Sequence, residues 1–95
     1  MKASEILNTA ASLVSGDRNR QHGDIKAHYD ALAAMWTAVL VAAGKAPDTP
    51  LDAHDAANMM EVLKIVRRYF GSVNDDDYVD GAGYAAIAGH LRTER

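Results

Sequence analysis

The sequence has no cysteine, which excludes disulfides, thiolate metal sites and cysteine nucleophiles and leaves packing alone to hold a small chain together. Basic charge is not in excess either. Ten Lys plus Arg stand against thirteen Asp plus Glu, a net of −3, and this argues against direct, sequence-independent binding to DNA, RNA or an anionic membrane. Long apolar runs are missing: each is broken within about ten residues, too short for a signal-peptide core or for a membrane span of about 20 residues. The chain therefore reads as cytoplasmic. At 95 residues it has room for one core, and a domain of this size gains considerably from an oligomeric partner.

What is present is helical spacing. Gly16, Gly23, Gly44, Pro47, Pro50 and Gly71 cut the chain into four stretches with apolar residues every three to four positions. The pattern predicts an all-α fold, one four-helix bundle-like domain over residues 1–95, with helices at about 3–15, 24–43, 50–70 and 75–91. Ser4 is the expected cap of the first, and Gly16 its stop. On the second, Ile25, Tyr29, Leu32, Trp36, Val39, Leu40 and Ala43 share a face, while Ala27, Ala31, Ala34, Ala38 and Val41 leave the other side with little polarity. The third is expected to be capped by Thr49, with Pro50 at the first helical position and Asp52 three residues after the cap.

The main apolar face of that third helix is Ala56, Met59, Met60, Leu63, Val66 and Phe70, with Val62, Ile65 and Tyr69 to one side. This is more apolar surface than one contact needs, and together with the second helix it predicts a homo-oligomer. The fourth helix is capped by Asn74 or Asp75, and the acidic run Asp75, Asp76, Asp77 suits the positive end of its dipole. Gly81, Gly83 and Gly89 inside it each cost roughly 1 kcal/mol relative to Ala. Gly81, Ala85 and Gly89, spaced by four, are therefore expected to form a smooth strip for close helix contact.

Three groups of residues could carry chemistry. In the loop Ser15 to Asp24, Arg18, Arg20 and His22 are candidate anion donors near a helix N-terminus, where free backbone N–H groups also favour phosphate. A solvated connector with Asp17 pairing Arg18 or Arg20 is the plainer reading. On the third helix His54, Asn58, Glu61, Lys64 and Arg68 share a polar side, and Arg67 lies at the edge of the apolar face. An arginine there calls for a partner, with Asp77, Asp80 or Asp17 as candidates. Glu61, Asp77 and Asp80 also form a candidate carboxylate set for Mg²⁺, which takes hard oxygen ligands. The four histidines lack zinc spacing, and no catalytic triad, Walker loop or dinucleotide glycine motif is present, so no catalytic residue is assigned.

The ordered blocks Leu13-Val14-Ser15-Gly16-Asp17-Arg18, His22-Gly23-Asp24, Leu32-Ala33, Met35-Trp36, Asp55, Met59-Met60, Leu63-Lys64-Ile65, Arg67, Asp77, Val79-Asp80 and Ala82-Gly83-Tyr84-Ala85 resemble a small uncharacterised domain of phage and prophage proteins. That resemblance spans residues 6–88 and implies a phage or prophage source and the bacterial host cytoplasm. More distantly, the chain resembles the all-α MazG-like nucleotide pyrophosphohydrolases, which hold Mg²⁺ between a Glu-x-x-Glu helix and a later Glu-x-x-Asp helix. Glu61 matches the first position, Lys64 replaces the second, and Asp77 and Asp80 fall on the later pair. The metal set this implies is Glu61, Asp77 and Asp80. It is incomplete, and cations in its middle favour holding phosphate over hydrolysis.

The expected function is thus binding of a nucleotide or other phosphate-containing ligand through Arg18, His22, Lys64, Arg67 and Tyr84. Residual pyrophosphohydrolase activity would require Mg²⁺. Sequestration of a nucleotide signal without hydrolysis is one alternative. A non-catalytic structural or protein-interaction module, in which the charges are ion pairs and the apolar excess is a subunit interface, is the other.

Overall fold

In the computed structural model, which describes residues 1–16 and 24–94, Glu5 rather than Ser4 serves the start of the first helix. Its carboxylate reaches back to accept the Lys2 backbone N–H at 3.3 Å, so Lys2 is the N-cap and α1 runs Ala3–Ser15. The second helix, α2, spans Ile25–Ala42 and is capped by Asp24, whose side chain accepts from the Ala27 N–H at 3.0 Å. It ends before Gly44, which takes the left-handed conformation (φ 74°) that glycine adopts without a Cβ clash.

The third helix, α3, spans Ala53–Arg67 and is shorter than expected at both ends. Asp52, not Thr49, is the cap: Asp52 accepts from the Asp55 N–H and Asp55 accepts from the Asp52 N–H, both at 2.9 Å. This reciprocal pair satisfies two otherwise orphaned donors. Upstream, the Leu51 N–H donates to Thr37 Oγ1 of α2 at 3.0 Å, which fastens the segment after Pro50 to the neighbouring helix and keeps it out of helical geometry. The fourth helix, α4, spans Asp75–Thr93, with Asn74 as cap accepting from the Asp76 N–H at 3.0 Å.

These four helices pack as a single small all-α domain. α4 lies against α3 along the most extensive contact and also against α1, and α2 packs on α3. The core joins Tyr29 and Ala33 of α2, Ala53, Ala56 and Ala57 of α3, and Ile87, Ala88 and Leu91 of α4. Trp36, Leu32, Met60 and Tyr84 are half-buried around it. Alanine dominates because it lets α3 and α4 approach closely; Ala56 and Ala57 have no exposed surface at all. Ile87 and Leu91 supply the bulk, each contributing about 1.5–3 kcal/mol by burial.

The expected apolar face of α3 packs only in part: Ala56 is buried and Met60 lies against the core, but the rest faces outward. Met59, Leu63, Val66 and Phe70 are 42%, 48%, 48% and 73% exposed, and on α2 Val39 also points outward. α3 turns its alanines toward the core, and the remainder of that same side, at about 100° per residue, carries Lys64 and Arg68. Inward polarity is tolerated there because α4 presents carboxylates to it.

The expected glycine strip also resolves differently. A Cβ at Gly81 would run into the Arg68 guanidinium, one at Gly83 would touch Val14 of α1 at 3.5 Å, and Gly89 faces open space. Gly81 thus makes room for a side chain, whereas Gly89 makes room for nothing. Among the described residues no helix is long and apolar enough to cross a membrane.

Candidate ligand-binding site

The last turns of α3 bring three cations to the first turns of α4. Lys64, Arg67 and Arg68 end α3, where the negative end of the helix dipole favours them, and Asp77 and Asp80 begin α4, where the positive end favours acids. Because the two helices are joined by a short turn through Gly71, these oppositely charged ends meet. The Gly71 backbone is left-handed (φ 71°), as the reversal requires.

Lys64 Nζ lies 3.0 Å from Asp80 Oδ2, and both side chains are nearly buried, at 12% and 18% exposure. Arg67 Nε lies 3.4 Å from Asp77 Oδ1. This contact is ionic without being a directed hydrogen bond, and Asp77 Oδ1 is buried with no hydrogen-bond donor. The Asp77 side chain is 6% exposed, while that of Arg67 is 54% exposed, so the arginine stands at the rim.

Among the described residues Arg68 is the most enclosed arginine. Its guanidinium occupies the slot left by Gly81, donates to the Asp77 backbone carbonyl at 3.2 Å, and lies over the Tyr78 ring with 4.6 Å to the centroid. Its Nε is buried without an acceptor. Among the described residues the cluster therefore holds one buried donor without an acceptor, Arg68 Nε, and one buried carboxylate oxygen, Asp77 Oδ1, that has the ionic contact with Arg67 but no hydrogen bond, and three cations face two carboxylates. A buried polar atom without a hydrogen bond costs about 1–3 kcal/mol unless something satisfies it.

Of the residues expected to act, Lys64, Arg67, Asp77 and Asp80 are brought together at the α3–α4 contact. The expected pairing of Arg67 with Asp77 is formed. Tyr84 is half-buried against the core one turn beyond Asp80, and Glu61 is half-buried one turn before Lys64. Arg18 and His22 lie outside the described residues, as does Arg20. Among the described residues, the trio of potential metal ligands within 4.8 Å of one another is Asp52, His54 and Asp55, not Glu61, Asp77 and Asp80. Asp52 and Asp55 are the capping pair of α3.

Sequence reasoning left out Arg68 as a member of the cluster, assigning it to a polar surface. Gly81 carried the missing signal, since a buried mid-helix glycine marks a place where a neighbour must come close. A depression of about 330 Å³ lies at the opposite end of α3, lined by Lys26, Asp30, Asp52, Ala53, His54, Leu91 and Glu94. Its charges are locally satisfied: Lys26 pairs with Asp30 at 2.7 Å, and the Asp30 carboxylate holds the Lys26 ammonium pKa above its ordinary value, by hydrogen bonding first and then by charge. His90 pairs with Glu94 at 3.0 Å just beside it.

Fold and site together define a small all-α domain with an ionic cluster between its last two helices. The chain belongs to the family described as a domain of unknown function (DUF6378), whose pattern it matches over residues 5–92. It is similar to the Gene 55 protein of Mycobacterium phage L5, 34% identical over 82 residues that cover 86% of this chain and 49% of that protein. A second relative, the Gene 55 protein of Mycobacterium phage D29, is 27% identical over 89 residues, covering 94% of this chain and 54% of that protein. The chain spans about half the length of the curated relatives it matches. No solved structure matches it.

Proposed function

We propose that the protein binds a small phosphate-bearing ligand, a nucleotide in the simplest case, at the α3–α4 ion cluster. The observation that carries this reading is the imbalance there: Lys64, Arg67 and Arg68 face Asp77 and Asp80, with Arg67 half-exposed at the rim and the Arg68 Nε donor unused. A phosphate oxygen is the natural complement to Arg67, since a guanidinium offers paired N–H donors in a planar fork. The buried Asp77 Oδ1 acceptor would suit an N–H or O–H donor of the same ligand, such as a base amine or a ribose hydroxyl. Tyr84 would supply an aromatic edge, and Arg18 and His22, the other expected donors, lie outside the described residues.

Binding is favoured over hydrolysis on chemical grounds. A MazG-like route would need Mg²⁺ at Glu61, Asp77 and Asp80, yet an ammonium stands 3.0 Å from Asp80 and a guanidinium 3.4 Å from Asp77, and a metal would have to displace both. A ligand held without turnover is the sequestering mode, and it fits a phage-related chain of this size. The test is thermal unfolding with mono-, di- and triphosphate nucleotides and cyclic oligonucleotides, with Mg²⁺ and with chelator, followed by chromatography of the recovered ligand. A ligand at a hundredfold excess over its dissociation constant stabilises by about 2.7 kcal/mol. Stabilisation that survives chelator and returns intact ligand supports sequestration; cleaved ligand and metal dependence replace it with hydrolysis; no stabilisation by any of these ligands, with Arg67 still paired, refutes ligand binding here.

A further inference from the structure

We infer that the α3–α4 site takes a phosphomonoester in its singly ionised form, bringing one proton with it, and that Asp77 is the residue that makes this selection. Such selection presupposes the ligand-binding reading above and narrows it. Arg67 is the half-exposed cation of the cluster, and its Nε lies 3.4 Å from Asp77 Oδ1 without a directed hydrogen bond. An oxyanion that takes the Nε edge of this guanidinium therefore arrives beside a carboxylate oxygen. That oxygen is buried, on a side chain only 6% exposed, and among the described residues no hydrogen-bond donor serves it.

Two anionic oxygens brought side by side repel unless a proton stands between them, and an ionised carboxylate can only accept. The ligand must supply the hydrogen. A phosphomonoester does so, because its second ionisation falls at about pH 6 and the singly ionised form keeps an O–H beside its anionic oxygens. A phosphodiester or a sulfate ester is fully ionised there and has no hydrogen to give. The charge count agrees: Lys64, Arg67 and Arg68 exceed Asp77 and Asp80 by one, which a singly ionised phosphate balances and a doubly ionised one overshoots. The phosphate rather than a base amine or a ribose hydroxyl supplies this hydrogen, since Arg67 Nε and Asp77 Oδ1 are neighbours and a group held by one reaches the other.

The test is calorimetric titration of the protein at about pH 6 with adenosine monophosphate, its phosphate monomethyl ester and the matching adenosine sulfate. Inorganic phosphate against inorganic sulfate serves as the base-free pair. The monophosphate and inorganic phosphate are expected to bind about tenfold or more tightly than the probes without the hydrogen, the worth of one hydrogen bond to a charged group. In Asp77→Asn, which offers N–H donors where the carboxylate stood, that preference should vanish or reverse. Phosphorus NMR of the bound monophosphate gives a readout that needs no variant, and it decides should Asp77→Asn unfold. At neutral pH, where the free ester is mostly doubly ionised, the bound resonance is expected to stay at the singly ionised position. Equal binding of all probes, a preference that survives Asp77→Asn, or a doubly ionised bound resonance refutes the selection and leaves the ligand-binding reading standing. Binding of none of these probes also refutes it, and the wider nucleotide panel above then decides the ligand-binding reading.

Discussion

The two ends of α3 meet α4 by opposite means. At the first end Ala53, Ala56 and Ala57 lie against Ile87, Ala88 and Leu91, an apolar contact with charged residues only around the depression beside it. At the other end, Lys64, Arg67 and Arg68 meet Asp77 and Asp80, with two buried polar atoms left without a hydrogen bond. Stability comes from the dry end, where close approach and apolar burial act without desolvation cost. Ionic contacts give little net stability because the attraction must offset the dehydration of both charges. The contrast places apolar burial and the charged cluster, where ligand binding is proposed, at different ends of one helix pair.

The strongest way to break this comparison is at the dry end. Leu91→Ala should cost about 2–5 kcal/mol in chemical denaturation, because Leu91 is 3% exposed and its removal leaves a cavity. At the ionic end, Lys64→Met should cost less, roughly 2–3 kcal/mol, since Asp80 loses a near-buried counter-charge but retains some solvent access. The double variant Lys64→Met/Asp80→Leu should recover most of that loss. If the double variant is as damaged as the single one, the ion pair is structural and the contrast between the two ends disappears.

Two glycines of α4 sharpen the same comparison. Gly89→Ala should stabilise by about 1 kcal/mol, the ordinary helix gain, because a methyl there meets nothing. Gly81→Ala should forfeit this gain, since its methyl displaces the Arg68 guanidinium from the Asp77 carbonyl and the Tyr78 ring. Equal gains from both would mean that Arg68 is not held in that slot. Arg67→Ala should cost about 1–3 kcal/mol, because the arginine, itself half-exposed, is the counter-charge of the buried Asp77 carboxylate. Its effect on phosphate-ligand binding should be the largest of any rim residue, read as loss of the ligand-induced shift in melting temperature.

Much of the site was visible from local chemistry. Lys64, Arg67, Asp77 and Asp80 were identifiable because three- and four-residue spacing sets faces on a helix, and an arginine beside apolar residues requires an acid. Arg68 was not, since its enclosure depends on the register between α3 and α4, which places Gly81 opposite it. The carboxylate trio expected for a metal was read from spacing along two helices. Spacing does not reveal that Lys64 and Arg67 fill the space between them.

The sequence by itself determined that four helices form and nearly where: Gly44 follows the end of α2 in left-handed backbone, Gly71 turns the chain between α3 and α4 in the same conformation, and Asp24 and Asn74 start helices through side-chain capping, all of which are decided within a few residues. It did not decide the start of α3, where two capping arrangements competed and the Leu51 contact with Thr37 of α2 favoured the later one. Only the tertiary structure chose which face of α3 turns inward. Both faces are rich in apolar or small residues, so periodicity could not choose between them. The alanine face packs because helix backbones approach more closely over alanine than over methionine, leucine and phenylalanine, and because α4 brings Asp77 and Asp80 to meet the cations on that side.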